Sequence, residues 1–150
     1  MGTVDLINKL LAVFITDEQL LAWATVNLPG GKFNTYIGVD DQNPPRPEQY
    51  PLIAVTEIRA SGEALKGRTK HEVDIACGVS KETITEDVEK NSHVQEGLLL
   101  AESFREQVRD AMFRSYPGKV SISGDAGQVS FFPLFVSGMT LTVETINTNS

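Results

Sequence analysis

The chain predicts an α+β fold, a largely antiparallel or mixed β-sheet with helices packed on one face, and three observations carry that expectation. Helical periodicity fills the N-terminal segment. Val73, Ile75, Cys77 and Val79 alternate with Glu72, Asp74, Ala76 and Gly78 at the period of two of a half-buried strand. A long apolar stripe at spacings of three and four then runs from Val94 to Met112, and more strand-like sequence follows it. With 150 residues the chain reads as a single domain, 1–150, able to bury roughly 70% of its unfolded surface.

Residues 4–15 put Ile7, Leu10, Leu11 and Phe14 on one helical face, with Thr3 or Asp5 as N-cap. Thr16 and Gln19 form a capping-box pattern, Asp17 and Glu18 load the first turn, and Leu20, Leu21 and Ala24 continue a short second helix before Pro29-Gly30-Gly31. Residues 33–39 suit a short strand. The stretch 40–51 contains Pro44, Pro45, Pro47 and Pro51, which excludes regular helix or a central strand and leaves an extended surface loop. Residues 52–59 read as a strand that ends at Ser61-Gly62, and a link of about ten residues with Lys66, Arg68 and Lys70 suits the tip of a long antiparallel hairpin onto the alternating strand.

Residues 80–91 are polar and acidic, with room for one helical turn. Ser92 and Gln95 make another capping box, so the longest helix is expected to start there and run through Leu98, Ala101, Phe104, Val108, Ala111 and Met112 to Pro117-Gly118. Its far face, with Glu102, Arg105, Glu106, Arg109 and Asp110, reads as solvated. Val120 and Ile122 then lead to Gly124-Asp125-Ala126-Gly127, which can close a hairpin onto a strand over 129–136, and Met139, Leu141 and Val143 face the core from the last strand. The tail 147–150 is expected to fray.

Composition narrows the chemistry. Thirteen Lys plus Arg against twenty Asp plus Glu give a net charge of −7, the wrong sign for gripping phosphate backbones. One cysteine excludes an internal disulfide, and two histidines leave little from which to build a soft-metal site. The apolar stretch from Leu10 to Ile15 has no basic run before it and no cleavage site after it, so it does not read as a signal peptide. No window approaches the ~18 apolar residues of a membrane span, and the N-terminus lacks the Ser/Thr of a myristoylation motif. The expectation is a cytoplasmic protein.

Individual motifs weaken on inspection. Gly62 to Thr69 departs from a phosphate loop at one residue, Arg68, where the motif needs lysine, and is followed by strand-like sequence instead of a helix N-terminus. Cys77 as nucleophile would need His71 or His93 as base. His71 lies six residues away along a strand, about 20 Å, and Ile75 and Val79 flank the thiol, so Cys77 reads as buried and inert. His93 is expected just inside a helix N-terminus, as a surface or capping residue. Asp40-Asp41 and Glu86-Asp87 lie in polar loops where both partners stay ionised. Trp23 and the Phe131-Phe132 pair read as core aromatics before they read as a binding surface. No catalytic, cofactor-binding or metal site emerges, and structural or assembly work remains by elimination.

The order of elements, with Tyr50-Pro51-Leu52-Ile53-Ala54-Val55, Val73-Asp74-Ile75-Ala76-Cys77-Gly78-Val79, the long helix, and then the run from Phe132-Pro133-Leu134 to Leu141-Thr142-Val143, resembles the tail terminator or tail-completion proteins of tailed bacteriophages and prophages. The likeness spans the first helix to the last strand. It implies a structural virion-assembly subunit and minor tail protein, not an enzyme, forming a homohexameric ring that caps the head-proximal end of the tail tube and offers the surface to which the head joins. The implied partners are further copies of the chain, the tail-tube protein and a head-completion connector. DNA would pass through without specific binding, and the protein would reside in the host bacterial cytoplasm and then in the virion tail. No membrane or cofactor is implied. A ring of one subunit type needs two different surfaces per copy. The basic hairpin tip (Arg59, Lys66, Arg68, Lys70) and the acidic loop (Glu82, Glu86, Asp87, Glu89) are the candidates for a subunit interface. A head-to-tail connector or tail-tube component is the alternative within the same class, and a small ligand-binding protein or enzyme using loop 62–69 is the alternative outside it.

Overall fold

The computed structural model describes residues 3–38, 42, 44–63, 68–116, 120–122 and 127–146, of which 61–63, 68, 122, 145 and 146 are described by backbone alone. The fold is α+β, as the periodicities predict. Helices α1 (Thr3–Thr16) and α2 (Glu18–Asn27) come first, then strand β1 (Asn34–Ile37). A long hairpin of β2 (Leu52–Glu63) and β3 (Arg68–Ser80) follows, then the short β4 (Ile84–Asp87) and β5 (Ser92–Gln95), and helix α3 (Glu96–Ser115). Strands β6 (Val120–Ile122), β7 (Gly127–Phe131) and β8 (Leu134–Ile146) complete the chain. The main sheet has the order β1-β2-β3-β8-β6, with β7 also on β8; β1 is parallel to β2 and the other pairs are antiparallel.

The three helices cover one face. Their apolar stripes, Leu6, Leu10, Val13 and Phe14 from α1, Leu20 and Ala24 from α2, and Ala101, Phe104, Val108, Ala111 and Met112 from α3, meet the inward residues of the sheet. Those are Ile53 and Val55 on β2, Val73, Ile75, Cys77 and Val79 on β3, and Phe135, Met139, Leu141 and Val143 on β8. A register shift between Val55 and Glu57 resets the alternation on β2, so that Ile58 again turns inward opposite Val73 while Thr56 is exposed. Trp23 belongs to this core, stacked on Phe104 at 5.7 Å. Among the described residues no helix is long and apolar enough to cross a membrane.

Four expectations change. Thr16 does not cap α2: it ends α1, its hydroxyl donating to the Ala12 carbonyl, and the Asp17 carboxylate accepts from the Leu20 amide as N-cap. The segment 80–91 carries no helical turn, because 84–87 pair with 92–95 as an antiparallel ribbon. Ser92 and Gln95 are therefore strand residues, α3 starts at Glu96, and His93 sits on the ribbon opposite Glu86. Finally, 120–122 do not pair with 129–136. Phe132-Pro133 breaks that run, since proline cannot donate to a ladder, and β6 and β7 lie end to end along one margin of β8. The turn expected at 124–126 lies outside the described residues.

Candidate assembly surface

The charged candidates lie at or beyond opposite ends of β3. At one end β2 and β3 run together to the pair Glu63 and Arg68, beyond the 52–59 and 73–79 expected from sequence, and β8 ends beside them with Ile146 opposite Arg68. Lys70 is exposed here, and Lys66 lies outside the described residues, as does the rest of 64–67. The segment after Arg68 is strand, so the helix N-terminus that a phosphate loop requires is not there.

At the other end Ser80 pairs with Leu134, and the chain leaves the sheet into the β4–β5 ribbon. The 13 residues of β3 separate the two ends by about 40 Å at strand rise. Hydrogen bonds anchor the ribbon at its base. The Lys81 amide donates to the Pro133 carbonyl at 2.8 Å, the Glu96 amide donates to the Thr83 carbonyl at 3.1 Å, and the Thr85 hydroxyl donates to Glu96 Oε1 at 2.6 Å. Along it Glu82, Glu86 and Glu89 are exposed, Glu86 lies 3.2 Å from His93 Nδ1, and Asp87 accepts from the Glu89 and Lys90 amides to shape the turn. Ile84 and Val88 are exposed on it as well, and neither strand pairs with any other among the described residues.

Arg59 is not at the tip in any useful sense. Its guanidinium is held on the outer face of the sheet by Asp74, at 2.9 and 3.2 Å, by Glu72 at 3.2 Å and by Glu57 at 2.9 Å. This fork lowers the Asp74 pKa and raises that of Arg59, and the Thr140 hydroxyl adds a donor to Asp74 at 2.6 Å. The basic candidates therefore reduce to Lys70, Arg68 and Lys66, of which the structure places only the first in full.

The margins of the sheet were less legible. Phe131 and Phe132, expected in the core, are 77% and 50% exposed, and all five residues of β7 face solvent. A signal was available: residues 127–138 contain no charged side chain, unusual for a segment that ends up at a margin. Behind β7 the Glu102 carboxylate on α3 accepts from Gln128 Nε2 at 2.6 Å and from the Ser137 hydroxyl at 2.8 Å, and pairs with the guanidinium of the buried Arg105. These donors hold Glu102 down to about pKa 2 and fix β7 against α3. On the opposite margin, beside β1, a groove of about 230 Å³ is lined by Phe14, Ile15, Leu21, Ala24, Lys32 and Phe33 among others.

Burial pushes the Cys77 thiol far above its usual range, which fits an inert core cysteine. Among the described residues no group of three or more His, Cys, Asp and Glu is placed to hold a metal. No protein-family model matches the chain, and a search of curated proteins finds no match.

Proposed function

We propose that this protein is a structural subunit of a phage or prophage tail that assembles as a ring, closes the head-proximal end of the tail tube and presents the head-joining surface. The observation that carries the reading is the β4–β5 ribbon. A two-stranded hairpin is marginal in water by itself, and among the described residues this one pairs with no other strand and has Ile84 and Val88 exposed along it. Such an element gains most of its order from whatever packs against it.

The placement of charge supports the same reading. The acidic ribbon, with Glu82, Glu86, Asp87 and Glu89, follows the Ser80 end of β3, whereas Arg68 and Lys70 lie at its other end, about 40 Å away, so the two cannot meet within a subunit. They are surfaces for other molecules of opposite sign, as a piece that joins two different neighbours requires. Exposed ion pairs contribute about 0–1 kcal/mol each, so they orient partners more than they hold them. The net charge of −7 suits a ring through which DNA moves without adhering.

Negative-stain imaging of the purified protein, together with duplex DNA retardation at low salt, tests this. Closed rings with a central hole and no retardation are expected. Open filaments would favour a tail-tube component, and tight salt-sensitive DNA binding would contradict the proposed channel.

A further inference from the structure

Within that ring reading, we propose that copies meet side by side: the β7 margin of one copy, through Phe131 and Phe132, docks into the groove beside β1 of the next. Native sheets protect their margins with charge, proline or a covering element. β7 has no charge and no proline over Gly127–Phe131, and although Gln128 ties it to α3, Val129, Phe131 and the adjacent Phe132 stand 59%, 77% and 50% exposed. A flat, uncharged aromatic margin is an aggregation hazard in a free subunit and an asset in one whose margin is covered.

The groove supplies what that margin lacks. Ile15 and Leu21 at its mouth are 62% and 37% exposed, Phe14 and Phe33 line it, and a volume of about 230 Å³ suits one large side chain. Among the described residues Lys32 is the one charged side chain in the lining, and a lysine there can meet an incoming aromatic face favourably. Neither Gly127–Phe132 nor the groove lining includes a carboxylate among the described residues, in keeping with the depletion of charge at interface cores. The occupant is a second copy because one chain carries both surfaces on opposite sides, β7 along β8 at one margin of the sheet and the groove between α1, α2 and β1 at the other. Joining them repeats one heterologous contact, which closes into a ring when the rotation per copy divides a full turn. The contact also leaves both charged ends of the sheet free for other partners.

Cysteine cross-linking tests the contact, because the native Cys77 is fully buried and does not compete. Full-length Phe131→Cys and Leu21→Cys chains are co-expressed and oxidised by air with copper phenanthroline, beside each variant alone. A disulfide-linked dimer of one chain of each kind, absent from either variant alone, is the expected result. Cross-linking of Phe131→Cys alone would reveal a margin meeting its own copy and overturn the proposal. Oligomers that form without the mixed cross-link overturn the contact but not the ring; a monomer at every concentration overturns both. As a second readout, Phe131→Glu is expected to weaken self-association at least tenfold with an unchanged melting temperature, because the side chain is exposed in the subunit.

Discussion

Arg105 and His71 are buried, and each has a polar nitrogen, Nε and Nδ1, with no hydrogen-bond partner among the described residues. Arg105 is tolerated because Glu102 neutralises it, so removing the carboxylate strands a cation. A fully buried pair broken this way costs roughly 3–5 kcal/mol; Glu102 is 35% exposed, so water screens it and Glu102→Gln is expected to cost about 1–2 kcal/mol in urea unfolding at neutral pH. The pH dependence follows from the direction of the shifts. Glu102 is held at about 2 against an ordinary 4.5, so its stabilisation is present above pH 4.5 and is lost as pH falls toward 2. His71 is held below its ordinary 6.5 by burial, so the unfolded chain takes up the proton first and stability declines as pH drops below 6.5. A pH series of urea midpoints should lose its decline just below pH 6.5 in His71→Leu and keep it in Glu102→Gln. An unchanged decline in His71→Leu would assign it elsewhere.

Between elements, the tightest junction is where α3 starts against β8. A Cβ on Gly97 would lie 2.3 and 2.5 Å from atoms of the Phe135 ring, which is itself buried. Alanine ordinarily favours a helix by up to about 1 kcal/mol over glycine, yet here overpacking of about 1–3 kcal/mol outweighs that gain. Gly97→Ala should therefore lower the melting temperature, and adding Phe135→Leu should recover part of the loss; a stabilised Gly97→Ala would mean the ring moves freely. This junction also shows how far sequence pattern reaches. The β3 alternation and the α3 stripe were legible because each element turns a regular face to one core. β4 was not, because a ribbon outside the core has no buried face and Ile84–Asp87 shows no alternation in burial. Ser92 and Gln95 mimic a capping box, but pairing with β4, a contact between segments, decides their conformation. Phe131 and Phe132 were misplaced for a related reason: aromatic character marks burial without saying whether the subunit itself or a neighbour provides it. Arg59 was grouped with the tip by sequence distance, whereas its carboxylate partners lie across the sheet on β3 and beside it on β2.

For the molecule as a whole, helices cover one face of the sheet, an acidic ribbon stands off one end, and the margins carry an uncharged edge with Phe131 and an apolar groove. A self-sufficient monomer has no need of that combination, and the proposed function depends on its being used between molecules. Mass by light scattering across a concentration series is the most direct measure. The account expects a discrete closed assembly, six copies of the 16.4 kDa chain if the family resemblance holds, that does not grow further as concentration rises. A compact monomer throughout the series, with Phe131→Glu indistinguishable from the parent, would contradict it.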